Sequence, residues 1–257
     1  GIPTLIQEQN GFAGLTNKIL GKKAKSICVA YEGMERFFPA DRIILSGNPI
    51  RKEIVAADEA MVKEAIEFYG LDPQKKHIFI VGGSLGSATL NNAMKKWIQD
   101  GCPGGEGIEV IWQCGKYYKP SVDEFMAKAK ETGLMTEGIQ YSDFIKRMDL
   151  AYAASDVIIT RSGASSVSEL CAAHKAAIFV PSPNVTEDHQ THNAMALVRK
   201  DAGMIVKDSE ASEKLMATAC ALVADPEKIA LMEKNIAALA KTDAAMTIAE
   251  EVYRIIG

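Results

Sequence analysis

Apolar and polar positions follow two alternating patterns along most of the chain, from about residue 51 onward. Short apolar runs, such as the one at 77–81, end in glycine or polar residues and are typical of strands buried on both faces of a sheet. Between them lie longer stretches whose apolar residues recur every three or four positions, which predicts amphipathic helices. The alternation predicts a doubly wound α/β domain, in which helices cover both faces of a parallel sheet.

The predicted strands of this region lie at 77–81, 108–112, 139–141, 156–160, 177–181 and 204–206. The predicted helices lie at 53–69, 90–99, 120–131, 145–154, 165–173 and 190–200. Three further helices, at 212–224, 226–240 and 243–256, follow with no strand between them. The tail therefore differs in kind from the region before it.

The first 48 residues predict only three strands, at 4–7, 26–30 and 43–46, and one helix. We expect this segment to pack poorly alone, because a small domain must bury more area than this to offset its chain entropy. Asn48-Pro49 predicts a link between domains, since the residue before a proline is restricted to extended geometry. We therefore assign residues 1–50 to an incomplete first domain and residues 51–241 to a second domain.

Charge and cysteine content exclude several classes of protein. The chain has 29 Lys+Arg against 33 Asp+Glu, a net charge of -4, which argues against a nucleic-acid partner. Its five cysteines include no CxxC pair, which favours reduced core thiols over disulfides or zinc. No apolar run reaches the ~18 residues of a membrane span. The chain opens on what resembles a strand already in progress, so we expect an N-terminal segment to be missing.

Two predicted strands end in Gly- and Ser-rich segments that lead into helices, at 82–87 and at 160–169. Ligands of doubly wound folds bind beyond the carboxyl ends of strands, and glycines with the free N–H groups of a helix start favour bound phosphate. Either segment alone is also compatible with an ordinary turn or a serine cap. Two such helix starts in one domain favour a phosphate site. Glu169 is placed to accept hydrogen bonds from ribose hydroxyls; the alternative is a helix-dipole role worth about 0.3–1 kcal/mol.

A polar loop at 180–193 suits recognition of a polyhydroxylated ligand. His189 and His192 are three residues apart, whereas a helical zinc pair is four apart, and the chain has no Asp-x-Asp. We therefore expect neither a metal nor another cofactor. A nicotinamide cofactor is rejected as well, because Gly82-Gly83-Ser84-Leu85-Gly86 is not G-x-G-x-x-G and no acidic residue follows the next strand.

Together these segments resemble the MurG family of peptidoglycan glycosyltransferases, which move N-acetylglucosamine from UDP onto undecaprenyl-diphospho-muramoyl pentapeptide. The resemblance runs through nearly the whole chain, and its combination of motifs is specific. The matching segments are Gln7-Glu8-Gln9-Asn10, Gly14-Leu15-Thr16-Asn17, Gly47-Asn48-Pro49-Ile50-Arg51, Gly82-Gly83-Ser84-Leu85-Gly86, Arg161-Ser162-Gly163-Ala164 to Glu169, and Asp188-His189-Gln190 to Asn193.

The resemblance implies a two-domain GT-B architecture with the donor in the second domain. It further implies that the segment at 242–257 is a helix returning to the first domain, and that the enzyme works at the cytoplasmic side of the bacterial plasma membrane. It implies that Arg51 and the Ile145 backbone recognise uracil and that Glu169 binds the ribose. Ser84 and the helix start would hold the diphosphate. Gln190 and Asn193 would bind the sugar hydroxyls, and Asn10 would contact the donor from the first domain. The implied substrate-binding set is Asn10, Arg51, Ser84, Ile145, Ala164, Ser165, Ser166, Val167, Ser168, Glu169, Gln190 and Asn193.

Two departures from the family pattern limit this transfer. Many members begin the first motif with His, where this chain has Gln7, so an acid–base role for that His does not carry over. The family's Gly-rich opening loop and its membrane-facing apolar patch are not found, and roughly 100 residues, a small domain's worth, are expected to be absent before Gly1. The general base stays unassigned. Glu8 is a candidate, although a lone acidic residue at a strand end is more often structural.

Three functions remain open from the sequence. The first is inverting transfer of N-acetylglucosamine to the muramoyl C4 hydroxyl of the lipid, with this chain alone expected to be inactive. The second is a non-catalytic nucleotide-sugar-binding subunit that needs a partner chain. The third is a UDP-N-acetylglucosamine epimerase, which shares the architecture and would need no lipid.

Overall fold

A computed structural model describes all of residues 1–257. Its strands are β1 Leu5–Glu8, β2 Ser26–Val29, β3 Ile43–Leu45, β4 Lys76–Val81, β5 Ile108–Gln113, β6 Ile139–Ser142, β7 Val157–Thr160, β8 Ala177–Phe179 and β9 Met204–Ile205. Its α-helices are α1 Leu15–Leu20, α2 Glu59–Tyr69, α3 Ala88–Gln99, α4 Lys119–Glu131, α5 Met148–Ala154, α6 Ala164–Ala173, α7 His189–Val198, α8 Ala211–Val223, α9 Pro226–Ala237 and α10 Ala244–Ile256.

Six parallel strands form the main sheet, in the order β6-β5-β4-β7-β8-β9. The chain starts at the central strand β4, builds outward through β5 and β6, then returns to the other side of β4 with β7. The strand order therefore reverses between β4 and β7, where the helices on either side of the sheet diverge. In open parallel sheets this reversal leaves a crevice at the carboxyl ends of the two strands, and ligands bind there.

Both faces of this sheet are buried, as the continuous apolar run at 77–81 predicts. Ile78 and Ile80 belong to one core cluster of 29 buried residues. Phe79 and Val81, which point to the opposite face, belong to a second cluster of 24. Successive side chains of a strand point to opposite faces, so an uninterrupted apolar strand requires cover on both. The predicted parallel-sheet α/β fold is confirmed.

The smaller sheet has the order β1-β2-β3, also parallel, and encloses a cluster of seven buried residues. The C-terminal helix α10 lies against β2. There the buried Ser26 hydroxyl donates a hydrogen bond to the carboxylate of Glu251. The Lys25 ammonium donates to the carbonyl oxygen of Ile255 at 3.4 Å. The structure thus gives this sheet a small core and covers it with the last helix of the chain. We call residues 1–46 with α10 the small lobe, and the rest the large lobe.

Two predicted helices begin later than the apolar pattern suggests. The helix predicted at 53–69 begins at Glu59, because the Asp58 carboxylate accepts a hydrogen bond from the Met61 N–H at 2.8 Å and caps it there. The helix predicted at 145–154 begins at Met148, which leaves Ile145 in a loop. None of the helices is long and apolar enough to cross a membrane.

Candidate functional site

The two Gly- and Ser-rich turns meet at the reversal of the strand order. Val81, the last residue of β4, pairs with Thr160, the last residue of β7. The turn at 82–87 follows the first strand and the turn at 161–163 follows the second, so both leave the sheet at neighbouring positions on its carboxyl edge. Sequence reasoning placed a site after each strand separately, and the parallel register now puts the two side by side.

The turn at 161–163 leads into a helix start with free hydrogen-bond donors. Gly163 occupies the N-cap of α6, so the helix has no side-chain cap. The first helical backbone hydrogen bond runs from the Val167 N–H to the Gly163 carbonyl at 3.0 Å. The N–H groups of Ala164, Ser165 and Ser166 have no acceptor within the protein. Three consecutive free donors at a helix N-terminus form a binding site for an anion.

The turn at 82–87 is different, because its own residues close it. The Ser87 hydroxyl caps α3 by accepting a hydrogen bond from the Leu90 N–H at 3.3 Å. Gly86 has φ 88° and packs against a neighbouring loop, where a Cβ atom would lie 2.2 Å from the carbonyl oxygen of Cys114. Ser84 is exposed, and its hydroxyl forms no hydrogen bond. This turn therefore offers a ligand a side-chain hydroxyl at its edge, while its helix start is partly satisfied from within.

Glu169 is held in place before any ligand arrives. It is buried, and its two carboxylate oxygens accept hydrogen bonds from Nε and Nη2 of Arg51, each at 2.9 Å. The Tyr152 hydroxyl donates to the same carboxylate at 3.2 Å. Burial, with the carboxylate beside it, raises the pKa of Tyr152, so this hydroxyl remains a neutral donor. Glu169 is the sixth residue of α6 and lies beyond the first turn, so its position argues against the helix-dipole alternative, and its ligand-binding role stays a prediction.

Ile145 lies in the loop between β6 and α5. Its side chain is buried, while its backbone N–H and carbonyl form no hydrogen bond within the protein. A free donor next to a free acceptor is the pair that the edge of a pyrimidine ring requires. The helix that follows this loop, α5, carries Tyr152 to Glu169. Ile145 and Glu169 are thus connected through α5, as a base-binding and a ribose-binding group would need to be.

Asn193 joins the two lobes. It is fully buried, and its Oδ1 accepts a hydrogen bond from the Gly11 N–H at 2.8 Å. Its Nδ2 donates to the Oδ1 of Asn10 and to the carbonyl of Ser162, both at 3.1 Å. The structure therefore brings Asn10 and Asn193 together, as their predicted common ligand requires. Gln190 lies on the same helix, where its Oε1 accepts from the Ser182 N–H at 2.9 Å.

Glu8 is committed to its own loop. It is buried, and one carboxylate oxygen accepts from the Asn10 N–H at 3.0 Å. The other accepts from the Gly14 N–H at 3.0 Å and from Nδ2 of Asn17 at 2.9 Å. A carboxylate that accepts this many hydrogen bonds organises the loop around it. This geometry favours the structural interpretation of Glu8 over the general base.

The two histidines of the polar loop have different partners. The His192 ring stacks on Phe12 with 5.0 Å between ring centroids. Nε2 of His189 lies 3.3 Å from the Glu187 carboxylate. No group of three or more His, Cys, Asp or Glu side chains converges in a geometry that suits a metal ion.

Two contributors to the site escaped the sequence analysis. Asn48 was predicted as part of a link and of a family motif, with no role of its own. It is buried and bridges the lobes. Its Oδ1 accepts a hydrogen bond from Nε2 of Gln7 at 2.8 Å, and its Nδ2 donates to the Ser168 hydroxyl at 3.1 Å. Tyr152 looked like one apolar position of a helix, and nothing local in the sequence marks it as a partner of Glu169. A buried asparagine before proline was the one available indication for Asn48, since such an amide needs partners.

The fold and this crevice are those of the two-lobed parallel-sheet class to which many glycosyltransferases belong. The glycosyltransferase family 28 C-terminal domain matches residues 77–248. Over 255 residues the chain is 51% identical to the UDP-N-acetylglucosamine--N-acetylmuramyl-(pentapeptide) pyrophosphoryl-undecaprenol N-acetylglucosamine transferase of Bacteroides thetaiotaomicron, covering 99% of this chain and 67% of that one. The protein of the same name from Parabacteroides distasonis is 47% identical, at 100% and 67% coverage. The chain belongs to glycosyltransferase family 28, and it spans about two thirds of the length of these relatives.

Solved structures agree with this assignment. The chain is similar to the crystal structure of Acinetobacter baumannii MurG, with a TM-score of 0.76 and 29% identity, over 99% of this chain and 68% of that one. Anabaena HepE, solved with UDP and glucose, has a TM-score of 0.61 at 14% identity, over 98% of this chain and 71% of that one. The second likeness concerns the fold alone.

Proposed function

We propose that this chain binds UDP-N-acetylglucosamine at the reversal point of its main sheet. We further propose that its enzyme transfers N-acetylglucosamine, with inversion, to the C4 hydroxyl of the muramyl residue of a pyrophosphoryl-undecaprenol lipid. The names of the two relatives support this donor and this acceptor. The observation that carries the proposal is α6, which presents three free N–H groups at its start and the buried Glu169 on its second turn.

Three parts of the large lobe bind different groups of the donor in this proposal. The diphosphate lies on the free N–H groups at the start of α6, with the Ser84 hydroxyl at its edge. The ribose hydroxyls donate to Glu169, whose carboxylate is already oriented by Arg51 and Tyr152. The uracil edge pairs with the free backbone groups of Ile145. Arg51 contacts uracil only through the part of its guanidinium that Glu169 does not engage, so in this proposal its first role is to fix Glu169.

The sugar lies between the lobes, beside Asn10, Gln190 and Asn193. Asn193 is already engaged by Asn10, Gly11 and Ser162, so a sugar hydroxyl contacts it by exchanging with the Asn10 amide. As the C4 hydroxyl of the acceptor attacks the anomeric carbon, the bond to the diphosphate oxygen breaks and negative charge grows on UDP. Oriented N–H dipoles at the start of α6 stabilise that charge at the moment it develops. We assign no general base.

Two alternatives lead to different experiments. A non-catalytic subunit would bind the donor and fail in transfer even when the rest of the enzyme is supplied. An epimerase would convert UDP-N-acetylglucosamine without lipid. The transferase is favoured because relatives at 51% and 47% identity across essentially the whole chain carry that name.

A chimera tests the proposal most sharply. These 257 residues would replace the matching part of the Bacteroides thetaiotaomicron relative, and transfer from labelled UDP-N-acetylglucosamine to lipid acceptor would be measured. We expect turnover in the chimera and none from the isolated chain, because rate enhancement depends on holding both substrates in position. A folded chimera that binds UDP but transfers nothing would defeat the transferase proposal. Product formation without lipid would favour the epimerase instead.

We also propose peripheral contact with the membrane, at the side where an undecaprenyl lipid must be reached. The short helix α1 supports this, because Leu15, Ile19 and Leu20 are 66%, 58% and 51% exposed. Lys18 lies between them in the sequence, and Lys22 and Lys23 follow. Apolar side chains flanked by lysines favour an anionic lipid surface. Vesicle co-sedimentation of Leu15→Ser/Ile19→Ser, compared with the unchanged chain, tests it; equal binding to phosphatidylglycerol vesicles would contradict it.

A further inference from the structure

A cavity lies between the two lobes and is separate from most of the proposed donor site. Its volume is about 420 Å³, in the range of small-molecule pockets. The small lobe contributes the loop at 30–36 and the end of β3, while the large lobe contributes α6, α7 and the segment at 238–241. Of the predicted donor-site residues, only Val167 and Ser168 border it. We call it the interlobe cavity.

An unsatisfied hydroxyl lies in the wall of this cavity. Tyr31 lines it, and the Tyr31 hydroxyl is buried without a hydrogen-bond partner. A buried hydroxyl with no partner destabilises the fold, since it has lost its hydrogen bonds to water and gained none. Such groups are rare in proteins. A ligand that accepts a hydrogen bond from this hydroxyl would supply the missing partner.

The charges around the cavity are mostly positive. Arg36, Arg199 and Lys241 line it, and none of them lies within salt-bridge distance of a carboxylate. Lys200 also lines it and pairs with Glu32 at 2.8 Å, the one acidic residue in the lining. The hydrogen bond from Lys200 and, to a lesser extent, the charge of Lys241 lower the pKa of Glu32, but this single carboxylate faces four cations. Charge complementarity therefore favours an anionic ligand.

Another part of the lining, in contrast, is apolar. Leu45, Val167, Cys171, Met195 and Leu239 line it. Cys171 is buried, and burial raises the pKa of its thiol to about 12, so the thiol is neutral there. An inorganic anion alone would leave this surface unfilled. A ligand that fits must combine an apolar body with an anionic group.

We propose that the interlobe cavity is a second binding site, for a soluble small molecule with an apolar body and a sulfonate, carboxylate or phosphate group. Its apolar body fills the space between β3, α6 and α7, and its anionic group lies near Arg36, Arg199 and Lys241. The Tyr31 hydroxyl donates to it. Because both lobes line the cavity, the occupant holds them together. The proposal does not depend on the identity of the transferred sugar.

The probe is 8-anilinonaphthalene-1-sulfonate, an apolar anion of suitable size, added to the chain labelled with ¹³C at its methionine methyl groups. Met195 is the one methionine of the 11 in the chain that lines the cavity, and Met195→Leu assigns its signal. We expect the Met195 methyl to shift saturably, while Met246 on the exposed face of α10 stays in place. Saturable probe binding that leaves Met195 unmoved would overturn the proposal.

Matched variants identify the contacts. Lys241→Glu should weaken the probe on the order of threefold to tenfold, and Lys228→Glu, an exposed lysine away from the cavity, should leave it unchanged. Tyr31→Phe should raise the melting temperature while weakening the probe, a combination that a purely structural hydroxyl would not give. Equal probe affinity in Lys241→Glu and Lys228→Glu would contradict the site.

Two further additions distinguish the ligand's source. Inorganic phosphate alone should shift Met195 little, because it lacks the apolar body. Phosphatidylglycerol vesicles that shifted Met195 as the soluble probe does would assign the cavity to a lipid surface, and would overturn the proposal of a soluble ligand. UDP should bind the Tyr31→Phe variant as tightly as the unchanged chain, which keeps this test separate from that of the donor site.

Discussion

The two strand-to-helix turns at the sheet reversal are alike in composition and different in use. Both are rich in glycine and serine, and both follow central parallel strands. At α3 the N-cap is Ser87, whose hydroxyl satisfies a helix N–H from within. At α6 the N-cap is Gly163, which leaves three N–H groups free. A serine at the cap satisfies one N–H group of the helix start, whereas a glycine leaves all of them open to an external anion.

The sixth residue of each helix extends the contrast. In α3 it is Ala93, buried in the core cluster on one face of the sheet. In α6 it is Glu169, buried against Arg51 and Tyr152. A buried carboxylate is unfavourable unless it is paired and hydrogen-bonded, and this one is both. One helix therefore places an apolar residue in the core, and the other places a paired carboxylate there.

The largest expected effect is on the closed turn. Gly86→Ala would place a Cβ atom 2.2 Å from the carbonyl oxygen of Cys114, so the backbone must move. Gly86 also has φ 88°, a conformation that alanine rarely adopts. We expect it to lower the free energy of unfolding by more than about 3 kcal/mol in urea denaturation. Gly83→Ala is the control, because Gly83 has φ 85° with no atom within 4 Å of the added Cβ. It should cost only about 1–2 kcal/mol. Equal losses of unfolding free energy in the two variants would mean that the close contact with Cys114 does not contribute to the effect of Gly86→Ala.

Next in size is the effect at Glu169, the proposed ribose-binding group that follows the open turn. Glu169→Gln keeps the size of the side chain and removes the charge that accepts from ribose and from Arg51. UDP affinity measured by calorimetry should fall by ~1–3 kcal/mol, the scale of a hydrogen bond to a charged group. Tyr152→Phe, which leaves the carboxylate paired with Arg51, should lose less. If the folded Glu169→Gln variant binds UDP unchanged, Glu169 does no more than anchor Arg51.

The smallest effect separates stability from binding. Ser87→Ala removes the cap of α3 and should cost about 1 kcal/mol of unfolding free energy. UDP affinity should stay within experimental error, because the proposed diphosphate site is the start of α6. A clear loss of UDP affinity in this variant would mean that both helix starts hold phosphate, as the sequence alone allows.

The spacing of apolar residues and the chemistry of single side chains can be read from the sequence, so the elements and some of the site residues were predictable. The apolar run ending at Val81 predicts a doubly covered strand, and Glu169 after a Gly-Ser turn predicts a polar ligand. The close packing of the turn at 82–87 was not predictable in this way. It depends on a contact between Gly86 and Gly115, whose pairing is set by tertiary packing of segments about 30 residues apart along the chain.

The polar bridges between lobes escaped prediction for the same reason. Asn48 contacts Ser168, which is 120 residues away in the sequence. Asn193 contacts Gly11, which is 182 residues away. The local sequence pattern does not indicate which distant residues will be the partners. The chemistry of a buried amide shows only that partners must exist.

The most direct test of the open helix start is UDP binding to Gly163→Ala, measured by calorimetry beside Ser87→Ala. No atom lies within 4 Å of a Cβ added at Gly163, and its φ of −64° suits alanine, so the chain should fold with at most a small loss of helix-cap stability. The added methyl group would stand beside the free N–H groups and crowd the phosphate. The account predicts that UDP binds Gly163→Ala about tenfold more weakly, or ~1.4 kcal/mol, and binds Ser87→Ala as before. Undiminished binding by Gly163→Ala, with a loss in Ser87→Ala, would contradict it and move the diphosphate to α3.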